Sequence, residues 1–181
     1  MSKKINVKDY AKEILSALPH GVLLNTASNG RTNTMTIGWG ALGTDFGKDV
    51  FTIYVRKSRF TKQLLDESGE FTISIPVGEA VAEQKDAVAY CGTQSGNKVE
   101  DKIKDAGLTA IKGEMVKSPS IKEFPLTLEC KVVFSTEKKI PLIDNNYQKF
   151  YPMGDTKYKI GKIQDPHYIY EGEIVNAYII D

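Results

Sequence analysis

Between Asn33 and Pro76 the chain alternates apolar and polar residues with period two in three consecutive stretches, and no other feature constrains its fold as strongly. Met35, Ile37 and Trp39 fall on one face, with Thr34, Thr36 and Gly38 on the other. Phe51, Ile53 and Val55 alternate with Thr52 and Tyr54, and Phe71, Ile73 and Ile75 complete the set before Pro76. Successive side chains of a strand point to opposite faces, so such a series specifies a sheet whose two faces are used differently. Leu126, Leu128, Cys130, Val132 and Phe134, opposite Thr127, Glu129, Lys131, Val133 and Ser135, form the longest alternating run and predict a long central strand.

The intervening segments supply the turns and helices of that sheet. Lys8 to Leu18 places Tyr10, Ala11, Ile14, Leu15 and Leu18 on one helical face, ended by Pro19. Gly21 to Ser28 reads as a buried strand, and Ser28-Asn29-Gly30 as a hairpin turn in which Asn-Gly tolerates positive φ. Gly43 to Asp49 reads as a connection. A helix from Arg59 to about Glu67 buries Phe60, Leu64 and Leu65, with Gly69 where the helix leaves off. Gly78 to Tyr90 is weakly helical, the loop Cys91 to Gly96 follows, and Val99, Ile103 and Ala106 mark a short helix whose N-terminus is a second candidate anion contact. Lys138 to Gly161, with Pro141, Asp144-Asn145-Asn146, Pro152 and Gly154, reads as a loop that makes an excursion over a neighbour or a ligand. His167 to Tyr170 and Glu173 to Ile180 give two terminal strands around Gly172. Seven or eight strands with short helices argue for a closed or partly open antiparallel barrel. A parallel dinucleotide fold is disfavoured, since neither GxGxxG nor GxxxxGK[ST] occurs.

Length and charge then limit the partners. With 181 residues the expectation is one domain over 1–181, with a core that needs no disulfide or metal staple. Twenty-four basic against 23 acidic residues leave no whole-protein field for nucleic acid or an acidic membrane, so anion binding must come from local clusters. Cys91 and Cys130 form no CxxC, and only His20 and His167 could join them as soft ligands, which disfavours zinc and fits reduced thiols in a cytosolic protein. Without an apolar run of signal-peptide or membrane-span length, the chain is expected to be soluble and cytoplasmic.

One local cluster stands out: Arg56-Lys57-Ser58-Arg59 opens an amphipathic helix. A helix N-terminus exposes unpaired N–H groups and the positive end of its dipole, so Ser58 as N-cap between two arginines makes a phosphate-sized anion site. The strand Met35 to Trp39 supplies an apolar wall, and the combination suggests a nucleotide-like cofactor. Bland alternatives stand beside each point: Met35, Ile37 and Trp39 as plain barrel core, the turn as a capped helix with solvated charges, and Cys91 as a small buried hydrophobe in place of a redox thiol. Lys157, Lys159 and Lys162 read as a solvated face, and His167 as either structural or part of a site.

In Asn33-Thr34-Met35-Thr36-Ile37-Gly38-Trp39, in Arg56-Lys57-Ser58-Arg59-Phe60-Thr61, in Gly69 to Pro76, in the Cys91 to Lys102 segment and in His167 to Val175, the chain resembles the flavin reductase-like, FMN-binding split-barrel family. The resemblance implies a mainly β fold with short helices (α+β), an antiparallel split β-barrel, in a homodimer that holds FMN near the subunit interface. It implies that Met35, Thr36, Ile37, Gly38 and Trp39 lie along the isoalloxazine, with backbone groups meeting its polar edge, and that Asn33 also binds the cofactor. It likewise assigns the phosphate to Arg56, Lys57, Ser58, Arg59 and Thr61, assigns Ser95, Gly96 and Lys102 to the ribityl-phosphate pocket, and places His167 beside the flavin or the hydride donor. Asn97 stands where many relatives carry arginine.

Flavin chemistry asks little of side-chain acids, so no general base is assigned. The resemblance implies an NAD(P)H-dependent flavin or ferric-complex reductase with FMN, taking NADH or NADPH as electron donor. The alternatives are an FMN-binding electron carrier reduced by a redox protein partner, and a barrel used only for interaction.

Overall fold

The computed structural model describes residues 2–154 and 163–181. Strand β1 (Ser2–Lys4) leads through a 3-10 turn at Val7–Tyr10 into helix α1 (Ala11–Ala17) and a second 3-10 turn at Leu18–His20. Strands β2 (Val22–Ser28), β3 (Arg31–Ile37), β4 (Gly40–Asp45) and β5 (Lys48–Arg56) precede helix α2 (Phe60–Ser68) and strand β6 (Glu70–Ile75). Short helices α3 (Ala80–Glu83), α4 (Lys85–Thr93) and α5 (Lys102–Asp105) follow. The small strands β7 (Ala110–Ile111) and β8 (Ser120–Ile121) then lead to the long strands β9 (Leu126–Glu137) and β10 (His167–Ile180).

The main sheet runs β3-β2-β6-β9-β10-β5-β4 with antiparallel pairing throughout, while β1 pairs with the end of β10. Its two end strands, β3 and β4, are consecutive in the chain and joined through Gly38-Trp39, so the backbone itself brings the sheet round on itself. This is the antiparallel split barrel, and the seam at Gly38-Trp39 is where its wall is open. Leu24, Ile37, Phe51, Ile53, Val55, Phe71, Ile73, Leu126, Leu128 and Cys130 fill the interior. A second cluster, including Leu23, Cys91, Ile103 and Phe124, packs α4 and α5 onto the outer face of β2. Burial on both faces explains why Val22-Leu23-Leu24 lacks alternation.

The predicted elements appear with informative shifts. Asn29 (φ 50°) and Gly30 (φ 75°) form the expected hairpin turn, and Gly69 ends α2 in the left-handed conformation (φ 64°) that glycine adopts without strain. The expected connection Gly43 to Asp49 is instead the β4–β5 hairpin, turning at Phe46 (φ 51°) and Gly47 (φ 69°). Strand β4 has no apolar alternation because it is an edge whose residues are mostly solvated; only Leu42 packs against the core.

Gly172 does not divide two terminal strands. It sits within β10, at a register shift between Glu171 and Gly172 on the β9 side, where a Cβ would come within 2.5 Å of the Phe71 ring and 2.9 Å of the Cys130 Cβ. Close approach, not a turn, requires the glycine. Leu15 is half exposed, off the packed face of the first helix, and Pro19 lies inside the 3-10 turn that extends it. Cys91, Gly92 and Thr93 are the last turn of α4 and not a loop. The short helix begins only at Lys102, and its N-cap Asp101 accepts from the Lys104 N–H with its own carboxylate, so the second helix-terminus anion contact is taken. Both cysteines are free and buried. The excursion after β9 contains 3-10 turns at Ile140–Leu142 and Gln148–Phe150; Lys157, Lys159 and Lys162 lie outside the described residues.

Candidate functional site

Two adjoining cavities open at the barrel seam. The first, about 310 Å³, lies between the start of β3, the start of α2 and the segment from Cys91 to Lys98; the second, about 190 Å³, lies along Met35 to Trp39. Met35 and Arg59 border both, so the two form one cleft. Strand pairing explains the placement: β3 is the barrel edge, its outer neighbour positions are empty of strand, and α2 and α4 pack on either side of it.

The first cavity is lined by cationic side chains, Lys102 and Arg59 among them. Lys102 is 3% exposed, and its ammonium donates to the Cys91 carbonyl at 2.7 Å. Burial pulls its pKa down to about 8, and the nearby Arg59 guanidinium adds to that depression. A buried ammonium beside a half-buried guanidinium is raised in energy by burial and by the second positive charge, and an anion beside them relieves both. Asn33 is buried; its amide donates to the Thr61 hydroxyl at 2.7 Å, while its Oδ1 has no hydrogen-bond partner among the described residues. Gly96 lies so close that a Cβ there would come within 2.3 Å of that oxygen and 2.7 Å of the Phe60 ring. The Ser95 hydroxyl accepts from the Asn97 N–H at 3.3 Å.

The Arg56-Lys57-Ser58-Arg59 turn departs from the sequence expectation. Ser58 is not the N-cap; Arg59 holds that position with extended dihedrals. The Ser58 N–H and hydroxyl donate to the Asp165 carboxylate at 3.0 and 2.6 Å. Arg56 donates to the carbonyls of Asp165 and Phe150 at 3.0 and 2.9 Å and lies over the Tyr151 ring. Lys57 is exposed, and its backbone N–H donates to the Pro166 carbonyl. These three residues therefore anchor the segment around residues 150 and 166 on the turn, and Arg59 alone of the four borders both cavities.

The second cavity is flat-walled and mixed. Ile37 reaches into the barrel core, Met35 packs against that core from the cleft side, and the Thr36 hydroxyl donates to the Val88 carbonyl at 2.6 Å. Trp39 is 43% exposed and so is not core; its ring lies 5.5 Å edge-on from Phe150 and 5.2 Å from His167. His167 opens β10 and is buried, with Nδ1 2.8 Å from the Tyr151 hydroxyl. Burial, followed by the fields of Arg56, Lys138 and Arg59, pushes its pKa down to about 3, so it is neutral at ordinary pH. Burial likewise pushes the Cys91 thiol up to about 11.

The cleft thus gathers Asn33, Met35, Thr36, Ile37, Gly38, Trp39, Arg59, Thr61, Ser95, Gly96, Lys102 and His167, with Arg56 and Ser58 at its margin. Phe60, Tyr54, Tyr151 and Asp165 belong to the same region and went unpredicted. Tyr54 carries a readable signal, because alternation in β5 sets it opposite the core residues Ile53 and Val55; Asp165 carries none. Among the described residues, no group of three or more His, Cys, Asp or Glu side chains could hold a metal ion, and no helix is long and apolar enough to cross a membrane.

Known proteins share this architecture. The sequence profile of the Flavin reductase like domain matches residues 15–181. An uncharacterized protein of Archaeoglobus fulgidus is 36% identical over 107 residues, 59% of this chain and 57% of its own, and one from Pyrococcus abyssi is 32% identical over 55% and 54%. The chain spans just over half the length of these curated relatives. A flavoredoxin from Methanosarcina acetivorans superposes with TM-score 0.63 and 27% identity over 89% of this chain and 68% of its own. An FMN-binding domain of a flavin reductases-like enzyme from Shewanella baltica reaches TM-score 0.66 over 99% and 77%, at 18% identity, which speaks for the fold alone. The profile match across nearly the whole chain, on a split barrel with its cleft at the seam, shows that this protein belongs to the flavin reductase-like, FMN-binding family.

Proposed function

We propose that the chain binds FMN in the seam cleft and works as an NAD(P)H-dependent reductase of a flavin or a ferric complex. The residues present fit that cofactor. Arg59 and the buried Lys102 supply cationic donors for a phosphate, the unpartnered Asn33 Oδ1 supplies an acceptor for a ribityl hydroxyl, and Gly96 leaves the backbone open to close approach. Met35 to Trp39 offers a wall along which a flat ring system lies. Arg56, Lys57 and Ser58 act in this reading chiefly by anchoring the segment that carries Phe150 and Tyr151 over the second cavity.

The observation that carries the proposal is the pairing in one cleft of an anion end, where the buried Lys102 ammonium and Arg59 border the unpartnered Asn33 Oδ1, with the wall from Met35 to Trp39. His167 is neutral and Cys91 is a protonated thiol, which leaves the redox step to a bound cofactor. FMN, when bound, would supply the two-electron redox chemistry that links a reduced nicotinamide to an acceptor. The protein's own residues bind the phosphate, orient the ring and, through Trp39, Phe150 and Tyr151, limit water at one face.

A second reading, an electron carrier reduced by a protein partner, is favoured by the exposed apolar rings beside the cleft, with Trp39 and Phe150 in edge-on contact and each 43% exposed. A second copy of the chain would also cover that surface, and we propose a homodimer of one-domain chains, in the reducing cytoplasm that two free cysteines suit. Anaerobic mixing of the FMN-loaded protein with NADH or NADPH decides between the two activities. Fast bleaching of the flavin band is expected, and bleaching only after a redox protein is added would establish the carrier. Light scattering that finds a monomer with tightly bound FMN would remove the dimer.

A further inference from the structure

Tyr151 and His167 form a buried hydrogen-bonded pair at the edge of the flat cavity: the phenolic oxygen lies 2.8 Å from Nδ1, and the two residues are 4% and 7% exposed. The imidazole lines the cavity, and its Nε2 has no hydrogen-bond partner among the described residues. We propose that Tyr151 is a positioning residue: its hydroxyl fixes the tautomer of His167, so that the ring presents an Nε2–H donor to the cavity and not a lone pair. What that donor meets rests on the cavity being the place of the flavin ring.

Two conditions hold the tautomer. The imidazole must be neutral, since an imidazolium carries a proton on both nitrogens and has no tautomer to select. Burial, followed by the fields of Arg56, Lys138 and Arg59, supplies that condition. The phenol must also keep its proton and give it to Nδ1. Burial raises the Tyr151 hydroxyl above its ordinary pKa, so it remains a donor. An imidazole nitrogen is a stronger acceptor than a phenolic oxygen, and in the reverse arrangement the buried Tyr151 proton would find no acceptor among the described residues. The phenol is itself clamped. The Arg56 guanidinium lies 5.4 Å from the centroid of its ring, the Tyr151 carbonyl accepts from Gln164 at 2.8 Å, and the phenol meets the imidazole edge-on at 5.4 Å. His167 and Arg56 face each other in the register of β10 and β5, so one strand pairing places both the imidazole and the guanidinium that holds the phenol.

A fixed N–H donor selects acceptor atoms on a ligand, a carbonyl oxygen or a ring nitrogen, and turns away an N–H edge. Two-electron reduction of a flavin raises the electron density on its acceptor atoms, so the same donor favours the reduced ring over the oxidised one. Nitrogen-15 NMR of the histidine side chains reads the tautomer directly, and with two histidines in the chain the exposed His20 serves as reference. In the apoprotein, His167 is expected with Nε2 protonated and Nδ1 bare, unchanged between about pH 8 and pH 5. Tyr151→Phe keeps the ring and removes the donor. Its two nitrogen resonances converge as both tautomers populate, and bound FMN loses roughly tenfold in its preference for the reduced form, a midpoint potential about 30 mV lower for a two-electron couple. In a His167→Gln background the same substitution shifts the potential no further. A parent His167 protonated at Nδ1, a Tyr151→Phe spectrum like the parent's, or a potential shift that persists without His167 overturns the proposal. A changed tautomer with an unchanged potential overturns the donor's role toward the flavin. FMN that fails to bind removes the flavin reading, while the apoprotein spectrum still decides the tautomer.

Discussion

Lys102 offers the sharpest test of the anion end of the cleft. Its ammonium is buried beside Arg59, and its pKa is down to about 8 from an ordinary 10.5. A phosphate dianion beside it opposes both causes of that depression, so in the FMN complex the pKa returns towards the ordinary lysine range. The sign follows from linkage. The free protein loses the proton as pH rises through about 8 while the complex keeps it, so affinity is flat below that value and falls above it. With a bound pKa near 10, FMN binding is roughly tenfold weaker at pH 9 than at pH 7, and close to one proton is taken up per FMN at pH 9. Titration calorimetry in two buffers of different ionisation enthalpy reads that proton directly. Riboflavin, which lacks the phosphate, shows neither effect, and Lys102→Met binds FMN more weakly at pH 7 with no pH dependence. An FMN affinity that falls no more than riboflavin's, or a Lys102→Met profile that keeps the parent's slope, refutes the placement of the phosphate.

Other expectations follow from the same geometry. Arg59→Ala removes a charge-assisted contact worth roughly 1.5–3 kcal/mol, so FMN binds about ten- to a hundredfold more weakly in calorimetry while riboflavin affinity barely moves; equal losses for both ligands would show a damaged fold. Glu129, fully buried in β9, accepts from the backbone N–H groups of Glu114 and Met115 and from Asn176 and Tyr178. Glu129→Ala leaves those donors unpaired and costs roughly 3 kcal/mol or more, a drop in melting temperature of about 6–12 °C, and an unchanged melting curve would contradict it. His167 is held neutral with a pKa near 3 against an ordinary 6.5, so its stabilisation is fully present above pH 6.5 and declines as pH falls towards 3, by at most ~1.4 kcal/mol per unit. Urea midpoints between pH 7 and 4 should fall faster for the parent than for His167→Gln, and parallel falls would show that His167 titrates normally.

The sheet was legible wherever one face of a strand is apolar and the other polar. Period two marks β3, β5, β6 and the inner half of β9 because the face that meets the barrel interior is apolar, while the opposite face carries polar side chains that in β6 and the inner half of β9 are themselves buried. Strand β4 was hidden because a solvated edge needs no apolar alternation, and β10 read as two strands because Gly172, which makes room for Phe71, looks in sequence like a turn. At the cleft, the resemblance pointed to Arg59 and Lys102, which the structure brings to one cavity, whereas the contacts that hold Ser58 and Arg56 were not legible. Ser58 is engaged by Asp165, and Arg56 by Asp165 and Phe150, residues more than ninety positions away along the chain, and no local pattern announces such partners.

The proposed site sets FMN against the strand from Met35 to Trp39. Trp39 is the chain's only tryptophan, half exposed at the barrel seam and 5.2 Å from His167, so its emission reports on that strand alone. Titrating FMN into the apoprotein and following tryptophan fluorescence tests the placement directly. Saturable quenching of most of the emission, with a midpoint matching the calorimetric affinity, is the predicted result; emission unchanged at saturating FMN would put the flavin elsewhere on the molecule.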